Sequence, residues 1–341
     1  MIKEITNQEF TTYVNDCKNN YRTVESNLEW LEYFKENKNI DYKLYLFNEK
    51  VIFIILRKKL YTGNNKILTK ILGKKFFISS NHSPLILSEI SNEKLVKIVK
   101  DFLEILLKDK NIVGLQNFSL GYELDDKEEI LKTFTQYEIK EWGSFLTKVE
   151  DKESLWNSFK SKIRYEVKKS MKQNLNIKEI ISDEDIKNTL IIKNEARKND
   201  NIVLMKLNEW NSNVLFYQKS NHFIPLIIKQ DNNLVATAIL SYDGNVMGWG
   251  GLAVSDYARN NRINAMHYLN WWAIEKANSL GLRYFDTVGY NPTNRSLRED
   301  GIYIFKKRLS NIDKKYYLLN YLKGIYKVLF KIAMIVKNRK S

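Results

Sequence analysis

The chain has 341 residues, 44 % of them hydrophobic, and a formal net charge of +15. This length is typical of two domains, each with enough apolar residues for a core, and the composition excludes a long disordered segment. The positive charge favours a polyanionic partner, which means a nucleic acid, an anionic membrane or a phosphorylated substrate.

The few cysteines and histidines limit the chemistry further. Cys17 is the only cysteine and the three histidines are scattered, so neither an internal disulfide nor a Cys/His metal site is expected. The longest apolar stretch, "VLFKIAMIV" at 328–336, is far shorter than the about 20 residues that span a bilayer. The first ten residues lack the layout of a secretory signal. We therefore predict a cytoplasmic protein that holds no metal.

Residues 1–145 are predicted to form a mixed α/β domain. The segment "WLEYFKE" at 30–36 is predicted as a helix, and two strands are predicted around the turn at 48–50. Apolar residues at helical spacing predict a helix over 92–110, and a strand is predicted at 112–118. This part of the chain contains no strong chemical motif.

A second domain is predicted to begin at residue 146, with an amphipathic helix in "LWNSFKSKIRYEVKKSMKQ". One stripe of that helix consists of the apolar residues Trp156, Phe159, Ile163 and Val167. The other side carries cations: Lys162, Arg164, Lys168, Lys169 and Lys172. This basic side is either a solvated helix face or a surface that binds phosphates.

Three strands are predicted between residues 223 and 254, in "FIPLIIK", "LVATAILSY" and "VMGWGGLAV". The tight-turn sequences "QDNN" and "YDGN" separate them, which predicts an antiparallel meander. The helix "INAMHYLNWWAIEKANSL" follows and stops at Gly281, a typical C-terminal cap, and "RYFDTVG" is the next strand. A meander, a helix and a returning strand form the core of a GNAT-type acyltransferase fold, although topology alone does not fix the chemistry.

The C-terminal tail carries apolar residues at 318, 322, 325, 329, 332 and 336, with lysines among them. These spacings of three and four predict an amphipathic helix. Such a helix either packs on the first domain or lies on an anionic membrane surface, as a peripheral contact at the inner face of the membrane.

Several nucleotide-binding and nucleophile motifs are absent from the sequence, including the phosphate loop, the dinucleotide fingerprint and the nucleophile elbow. A GNAT enzyme binds the diphosphate of acetyl-CoA in a glycine-containing turn that opens the helix after the meander. Here that stretch reads "SDYARNNRINAMH", with Arg259 and Arg262 but without glycine. This departure argues against a CoA site in the second domain.

The order of "LWNSFKSKIRYEVKKSMKQNLNIKEI", "GWGGLAV", "HYLNWWAIEKANSLGLRYFDTVGY" and "YIFKKRL" resembles the FemABX family of peptidoglycan interpeptide-bridge aminoacyltransferases. The resemblance implies a mixed α/β (α+β) fold of two tandem GNAT-like domains, each a mostly antiparallel twisted sheet flanked by helices. Domain 1 would be 1–145, joined by the tail 312–341, and domain 2 would be 146–311. The chain has no heptad segment for the coiled-coil arm of some members.

The resemblance implies transfer of an aminoacyl group from aminoacyl-tRNA to an amine of a phosphorylated, nucleotide- or lipid-linked cell-wall precursor, without a cofactor. Lys306 in "IFKKRL" occupies the family's Phe-Lys position, where it would hold the oxyanion. We predict "YIFKKRL" as a strand, on which Lys306 and Lys307 point to opposite faces. Asp286 is either a general base or a strand-end residue that binds backbone amides, and aminolysis does not require a protein base.

The resemblance also implies a set of substrate-binding residues. Trp249 would line the acceptor channel, and four further residues would contact the phosphates and sugar of the substrate: Lys35, Arg197, Lys206 and Trp210. Lys206 and Trp210 replace an arginine and a tyrosine of the family pattern, which leaves the identity of the acceptor open.

Two other functions remain compatible with the sequence. The first is an acyl-CoA-dependent N-acyltransferase that acts on an amino sugar or related amine in cell-surface polysaccharide synthesis. The second is a membrane-apposed scaffold that binds RNA through the basic helix and the tail. The scaffold leaves the Lys306 site unexplained. The missing glycine turn weighs against the CoA enzyme, but the first domain could bind its donor.

Overall fold

The structure, a computed structural model, describes residues 1–19, 21–60, 74–81, 83–293, 295–324 and 326–327. The chain divides into two compact units. The first unit comprises Met1–Asn20, Glu25–Trp142 and Lys315–Ser341, and the second comprises Tyr21–Val24 and Gly143–Lys314.

Strands and helices are numbered here along the chain. The strands are β1 (Ile2–Glu4), β2 (Ile40–Phe47), β3 (Val51–Lys59), β4 (Phe76–Ser80), β5 (Leu85–Ile86), β6 (Ile112–Ser119), β7 (Glu138–Lys148), β8 (Leu175–Glu179), β9 (Phe223–Gln230), β10 (Asn233–Asp243), β11 (Val246–Val254), β12 (Tyr284–Tyr290) and β13 (Ile312–Leu322). The helices are α1 (Asn7–Asn15), α2 (Leu28–Lys38), α3 (Asn92–Leu106), α4 (Lys127–Thr133), α5 (Lys152–Ser158), α6 (Ser161–Met171), α7 (Asp183–Asn199), α8 (Leu207–Lys219), α9 (Asp256–Asn260), α10 (Ala265–Ser279) and α11 (Leu297–Arg308).

The first unit is built on a sheet with the strand order β1-β2-β3-β4-β6-β13. Its neighbouring strands are antiparallel except for β4 and β6, which are parallel, and β5 pairs with β3. The apolar face of α3 packs on this sheet, where the rings of Phe53 and Phe102 stack with their centroids 3.8 Å apart. The predicted helices of this unit, its hairpin around residues 48–50 and the strand at 112–118 are confirmed.

The second unit contains the strand order β7-β12-β11-β10-β9-β8. β8 to β11 are antiparallel, β11 and β12 are parallel, and β12 and β7 are antiparallel. Because side chains alternate along a strand, this sheet has two faces. The helices α5, α6 and α10 pack on one face, and α7 and α8 cover the other. The predicted meander, the helix that ends before Gly281 (φ +69°) and the following strand are confirmed.

The predicted helix over residues 155–173 is interrupted. Phe159 has an extended backbone, so the segment forms α5 and α6 with a break between them. The guanidinium of Arg164 donates hydrogen bonds to the carbonyl oxygens of Asn157 and Phe159, at 3.1 and 2.5 Å, which satisfies acceptors freed by the break. The predicted apolar stripe survives the break, since Phe159, Ile163 and Val167 are all buried.

The prediction that "YIFKKRL" is a strand is wrong, because these residues belong to α11. A capping box starts this helix: the Ser296 hydroxyl accepts from the backbone N–H of Glu299, and the Glu299 carboxylate accepts from the backbone N–H of Ser296. The short apolar run at 302–305 is therefore helical, because the capping box starts a helix only a few residues before it.

The prediction that the tail is helical from residue 318 is also wrong. β13 runs through Leu322 and pairs with β6, with Tyr317 and Leu319 buried at the spacing of two that a strand requires. The rest of the tail lies largely outside the described residues, and with it the predicted membrane contact. No helix in the described ranges is long and apolar enough to cross a bilayer.

Candidate active site

A crevice opens in the second unit where the parallel strands β11 and β12 separate. Their pairing covers Val246–Tyr284, Met247–Phe285 and Gly248–Asp286 and ends there, although both strands continue. We call the space between residues 249–254 of β11 and residues 287–290 of β12 the crevice. Open α/β sheets bind ligands at the carboxyl ends of their strands, so this crevice is the candidate active site.

Irregularities in both strands cause the separation. The register of β10 with β11 passes from Ile239–Gly251 to Leu240–Trp249, which leaves Gly250 as the extra residue of a β-bulge. The pairing of β12 with β7 also shifts between Asp286 and Gly289. A bulge increases the local twist and disrupts the ladder, so the two strands turn away from one another.

Hydrogen bonds to Asp286 stabilise the irregular part of β12, between Asp286 and Gly289. The side chain of Asp286 is 5 % exposed and accepts hydrogen bonds from the Ser144 hydroxyl and from the backbone N–H of Val288, the latter at 2.7 Å. Val288 has a φ of +57°, a costly conformation for a β-branched residue. The Thr287 hydroxyl donates to the carbonyl oxygen of Phe145 at 3.0 Å, so both sides of the irregularity are held.

Lys306 reaches this irregular segment from α11. Its ammonium donates to the carbonyl oxygens of Val288 and Gly289, each at 2.9 Å, which leaves one of its three N–H groups for another acceptor. Burial lowers the pKa of Lys306, and the Asp286 carboxylate opposes that shift. Lys307 is exposed, with its ammonium 5.6 Å from the centroid of the Tyr303 ring. Of the two lysines, Lys306 is therefore the one beside β12.

His267 and Phe305 position α11. The imidazole of His267 meets the Phe305 ring edge to face with centroids 5.1 Å apart, and its Nδ1 lies 3.0 Å from Oδ1 of Asn264. Burial lowers the pKa of His267, which favours the neutral form of the ring. His267 and Ser144 were not predicted as site residues, because neither stands in a recognisable motif.

Trp249 and Trp210, two of the predicted substrate-binding residues, are buried. Trp249 is 9 % exposed and its indole N–H donates to Oδ1 of Asn270 at 3.2 Å, while its ring meets the edge of Phe285. Trp210 is 3 % exposed and its indole N–H donates to the Thr189 hydroxyl at 3.0 Å. Both side chains therefore pack inside the second unit. Direct contact of either with a substrate stays a prediction.

The predicted cationic contacts lie in different surroundings. Arg197, on α7, donates from Nε to the carbonyl oxygen of Val203 at 2.5 Å, and Lys206 is an exposed residue at the start of α8. Lys35 belongs to the first unit, where its ammonium lies 3.4 Å from the Glu32 carboxylate. The roles of these three residues toward a phosphorylated substrate stay predictions.

Lys193, which the sequence analysis did not single out, has the most perturbed ammonium in the described part of the second unit. It lies on α7, half-buried, with its Nζ 5.4 Å from the centroid of the Trp210 ring. Burial, and secondarily the charge of Arg197, lower its pKa from 10.5 to about 8. No sign of this was visible in the sequence, because the burial of Thr189, one helical turn before Lys193, is known only from the fold.

The shifted pKa of Lys193 makes stability depend on pH. Between about pH 8 and 10.5 the unfolded chain keeps a proton that the native chain has lost, so the free energy of unfolding rises with pH. Below pH 8 the native state bears the cost of the buried charge. We expect Lys193→Met to be more stable than the wild type at pH 7 by about 2–3 kcal/mol, with the difference vanishing toward pH 10.5. Urea unfolding of both proteins across this range checks it, and parallel pH curves would contradict it.

The described residues contain no group of His, Cys, Asp and Glu side chains that could hold a metal ion.

Comparisons with known proteins identify the fold. No protein-family model matches the chain, and a search of curated proteins found no similar sequence. Among solved structures, FemX is 12 % identical, with 97 % of this chain and 99 % of that chain covered and a TM-score of 0.68. L-PGS from Bacillus licheniformis is 12 % identical, with coverage of 99 % and 98 % and a TM-score of 0.53.

A tandem GNAT protein from the clavulanic acid biosynthesis pathway is also similar, at 8 % identity, coverage of 95 % and 98 % and a TM-score of 0.54. At such identities the likeness shows the fold alone. The predicted α/β fold of the tandem GNAT type, similar to that of FemX, is confirmed.

Proposed function

We propose that the chain is an N-acyltransferase and that the acyl group is transferred in the crevice between β11 and β12. The observation that carries this proposal is the fixed cation of Lys306, held by two carbonyl oxygens with one N–H left over. Acyl transfer passes through an intermediate with a negatively charged oxygen. A half-buried cation that is already fixed stabilises this charge without the cost of reorganisation.

The proposed reaction is aminolysis of an ester. The nitrogen of a neutral amine attacks the carbonyl carbon, the new C–N bond forms, and the ester C–O bond breaks. The proton released by the amine goes to the leaving alcohol. We assign Asp286 to positioning rather than to proton transfer, because its carboxylate already accepts from Ser144 and Val288. Orientation of the amine supplies the remaining acceleration.

We propose aminoacyl-tRNA as the acyl donor, so that no cofactor is needed. Two observations support it: the net charge of +15, and a row of exposed cations on and beside α6 that fits a phosphate backbone. These cations are Lys160, Lys162, Lys168, Lys169 and Lys172. The proposed acceptor is an amine of a phosphorylated cell-wall precursor, which agrees with the fold shared with FemX. Arg197 and Lys206, both in the second unit, are the proposed contacts of its phosphates.

An acyl-CoA donor and an amino-sugar acceptor are the second candidate. The backbone of residues 249–254 of β11 has no strand partner on the crevice side among the described residues, so it can bind an extended arm such as that of a thioester donor. One backbone N–H at the start of α10, where the diphosphate would bind, is already used, however. The Ser170 hydroxyl donates to the carbonyl oxygen of Asn264, and the backbone N–H of Asn264 donates to the Gln173 side chain at 3.2 Å.

The residue in the left-handed conformation before α10 is also not a glycine. It is Arg262, with a φ of +53°. A side chain at this point keeps the backbone away from a diphosphate. These contacts favour the aminoacyl ester over the thioester.

Binding of the two donors to the purified full chain tests the choice. We expect charged tRNA to bind, with an affinity that falls by roughly 10³-fold between about 50 and 200 mM salt if six or more phosphates are contacted. We expect acetyl-CoA to bind at least about 100-fold more weakly at either salt concentration, a difference of about 2.7 kcal/mol. Tight binding of acetyl-CoA without binding of tRNA would overturn the tRNA donor and leave the N-acyltransferase proposal standing.

A further inference from the structure

The ammonium of Lys193 lies beside the part of β11 that no longer pairs with β12. A Cβ placed on Gly251 would lie 3.1 Å from Nζ of Lys193, closer than most real Cβ contacts. Glycine at this position therefore leaves room for the ammonium against the strand. The Trp210 ring borders the ammonium from another side. The position of this cation is thus defined by three elements, α7, α8 and β11.

No carboxylate pairs with Lys193 anywhere in the described residues. The charged group that acts on it there is Arg197, one helical turn later, and its charge is of the same sign. By contrast, Lys229 in the same unit pairs with Asp185 at the start of α7, at 3.3 Å. Burying an unpaired charge is costly, and natural interiors pair such charges. The described residues therefore do not neutralise the charge of Lys193.

The surroundings of the Lys193 ammonium are close to the candidate active site. Gly251 lies three residues beyond Gly248, the last residue of β11 that pairs with β12. At about 3.3 Å per residue, the two points are on the order of 10 Å apart along the strand. A ligand that lies along the unpaired edge of β11 would therefore place one group beside Asp286 and Lys306 and another beside Lys193.

We propose that Lys193, in the space left by Gly251, binds an anionic group, a phosphate or a carboxylate, of the ligand that occupies the crevice. The assignment of that ligand as an acyl donor or acceptor rests on the proposed function, but the anion site itself does not. Binding of the anion supplies a counter-charge for Lys193, and it favours the protonated form of the lysine.

Calorimetry of the full chain with two simple anions tests the site without any acyl donor. Sulfate serves as the tetrahedral probe and acetate as the carboxylate probe, since both are fully ionised at pH 8. Because Lys193 is about half protonated at that pH, binding should take up on the order of half a proton. Titrations in buffers of different ionisation enthalpy measure this uptake.

Three variants make the result specific. We expect Lys193→Met to weaken anion binding at least tenfold and to abolish the proton uptake. Lys187→Met removes an exposed lysine from the same helix and should change neither quantity. Gly251→Ala keeps every charge but displaces the flexible ammonium, and it should weaken binding severalfold.

Saturable binding of sulfate identifies the partner as a phosphate, and saturable binding of acetate identifies it as a carboxylate. Absence of binding by both probes would overturn the proposal, and so would binding that Lys193→Met and Lys187→Met weaken equally. Neither outcome depends on whether the chain transfers acyl groups from tRNA, so failure of the anion site and failure of the proposed function are separate results.

Discussion

Lys306→Ala is expected to lower kcat/KM for acyl transfer by about 10²–10³-fold, because the fixed cation beside the developing oxyanion is lost. The folded structure should survive, since the side chain is only half-buried and its removal frees two carbonyl oxygens at the edge of the crevice. Initial rates with a labelled acyl donor at subsaturating concentration measure the effect. Circular dichroism of the same preparation checks the fold.

Lys307→Ala is the matched control. It removes the same charge one residue away, but Lys307 is exposed and its ammonium lies over the Tyr303 ring rather than on β12. We expect its kcat/KM to stay within about threefold of the wild type, or below about 0.7 kcal/mol in transition-state free energy. The opposite pattern, with Lys307 essential and Lys306 dispensable, would show that the assignment of the cation is wrong.

Asp286→Ala is expected to destabilise the protein by about 2–4 kcal/mol and to abolish activity. The substitution removes the acceptor for the fully buried Ser144 hydroxyl and for the backbone N–H of Val288. Val288 then loses the contact that holds its left-handed backbone, and the carbonyl oxygens that bind Lys306 move with it. Urea unfolding and the transfer assay measure the two effects.

Asp286→Asn removes the negative charge of the side chain but keeps an oxygen that accepts hydrogen bonds. The amide oxygen still accepts from Val288, so we expect most of the stability to return. The Asp286 charge raises the pKa of Lys306 against the effect of burial, and its loss should lower that pKa further. Because Lys306 acts as a cation, the alkaline fall in the transfer rate should move to lower pH. An unchanged pH profile, or a stable Asp286→Ala variant, would contradict the role given to Asp286.

Much of the second unit was predictable because local and tertiary preferences agree there. The meander has tight-turn sequences between apolar runs, and α10 is followed by Gly281, which adopts a φ of +69° at little cost. Where turn residues, apolar spacing and a terminating glycine all favour the same structure, the sequence pattern identifies the strand or helix.

The errors occur where two patterns overlap. Apolar residues at 302–305 favour a strand, but the capping box of Ser296 and Glu299 starts a helix, and that pair was visible in the sequence. In the tail, residues 318 and 322 are four apart, which suits a helix but equally two steps of a strand. Pairing with β6 decides in favour of the strand, and no local signal reports that pairing.

The site itself was only partly predictable. Lys306 was found through its resemblance to a family position, not through spacing, and the assumed strand would have aimed it differently. The shape of the crevice depends on Val288 in a conformation usually reserved for glycine, held by Asp286 and by Ser144, which is 142 residues away in the chain. Long-range contacts of this kind leave no pattern in a single sequence.

The most direct test of the proposed function is a transfer assay with two labelled donors in parallel, a mixture of aminoacyl-tRNAs and acetyl-CoA, each with an amine-bearing cell-wall precursor. We predict that label moves from aminoacyl-tRNA into an amide product, at a rate that Lys306→Ala lowers by about 10²-fold or more. A folded wild-type protein that forms no amide from either donor, or forms it equally well without Lys306, would contradict acyl transfer in the crevice.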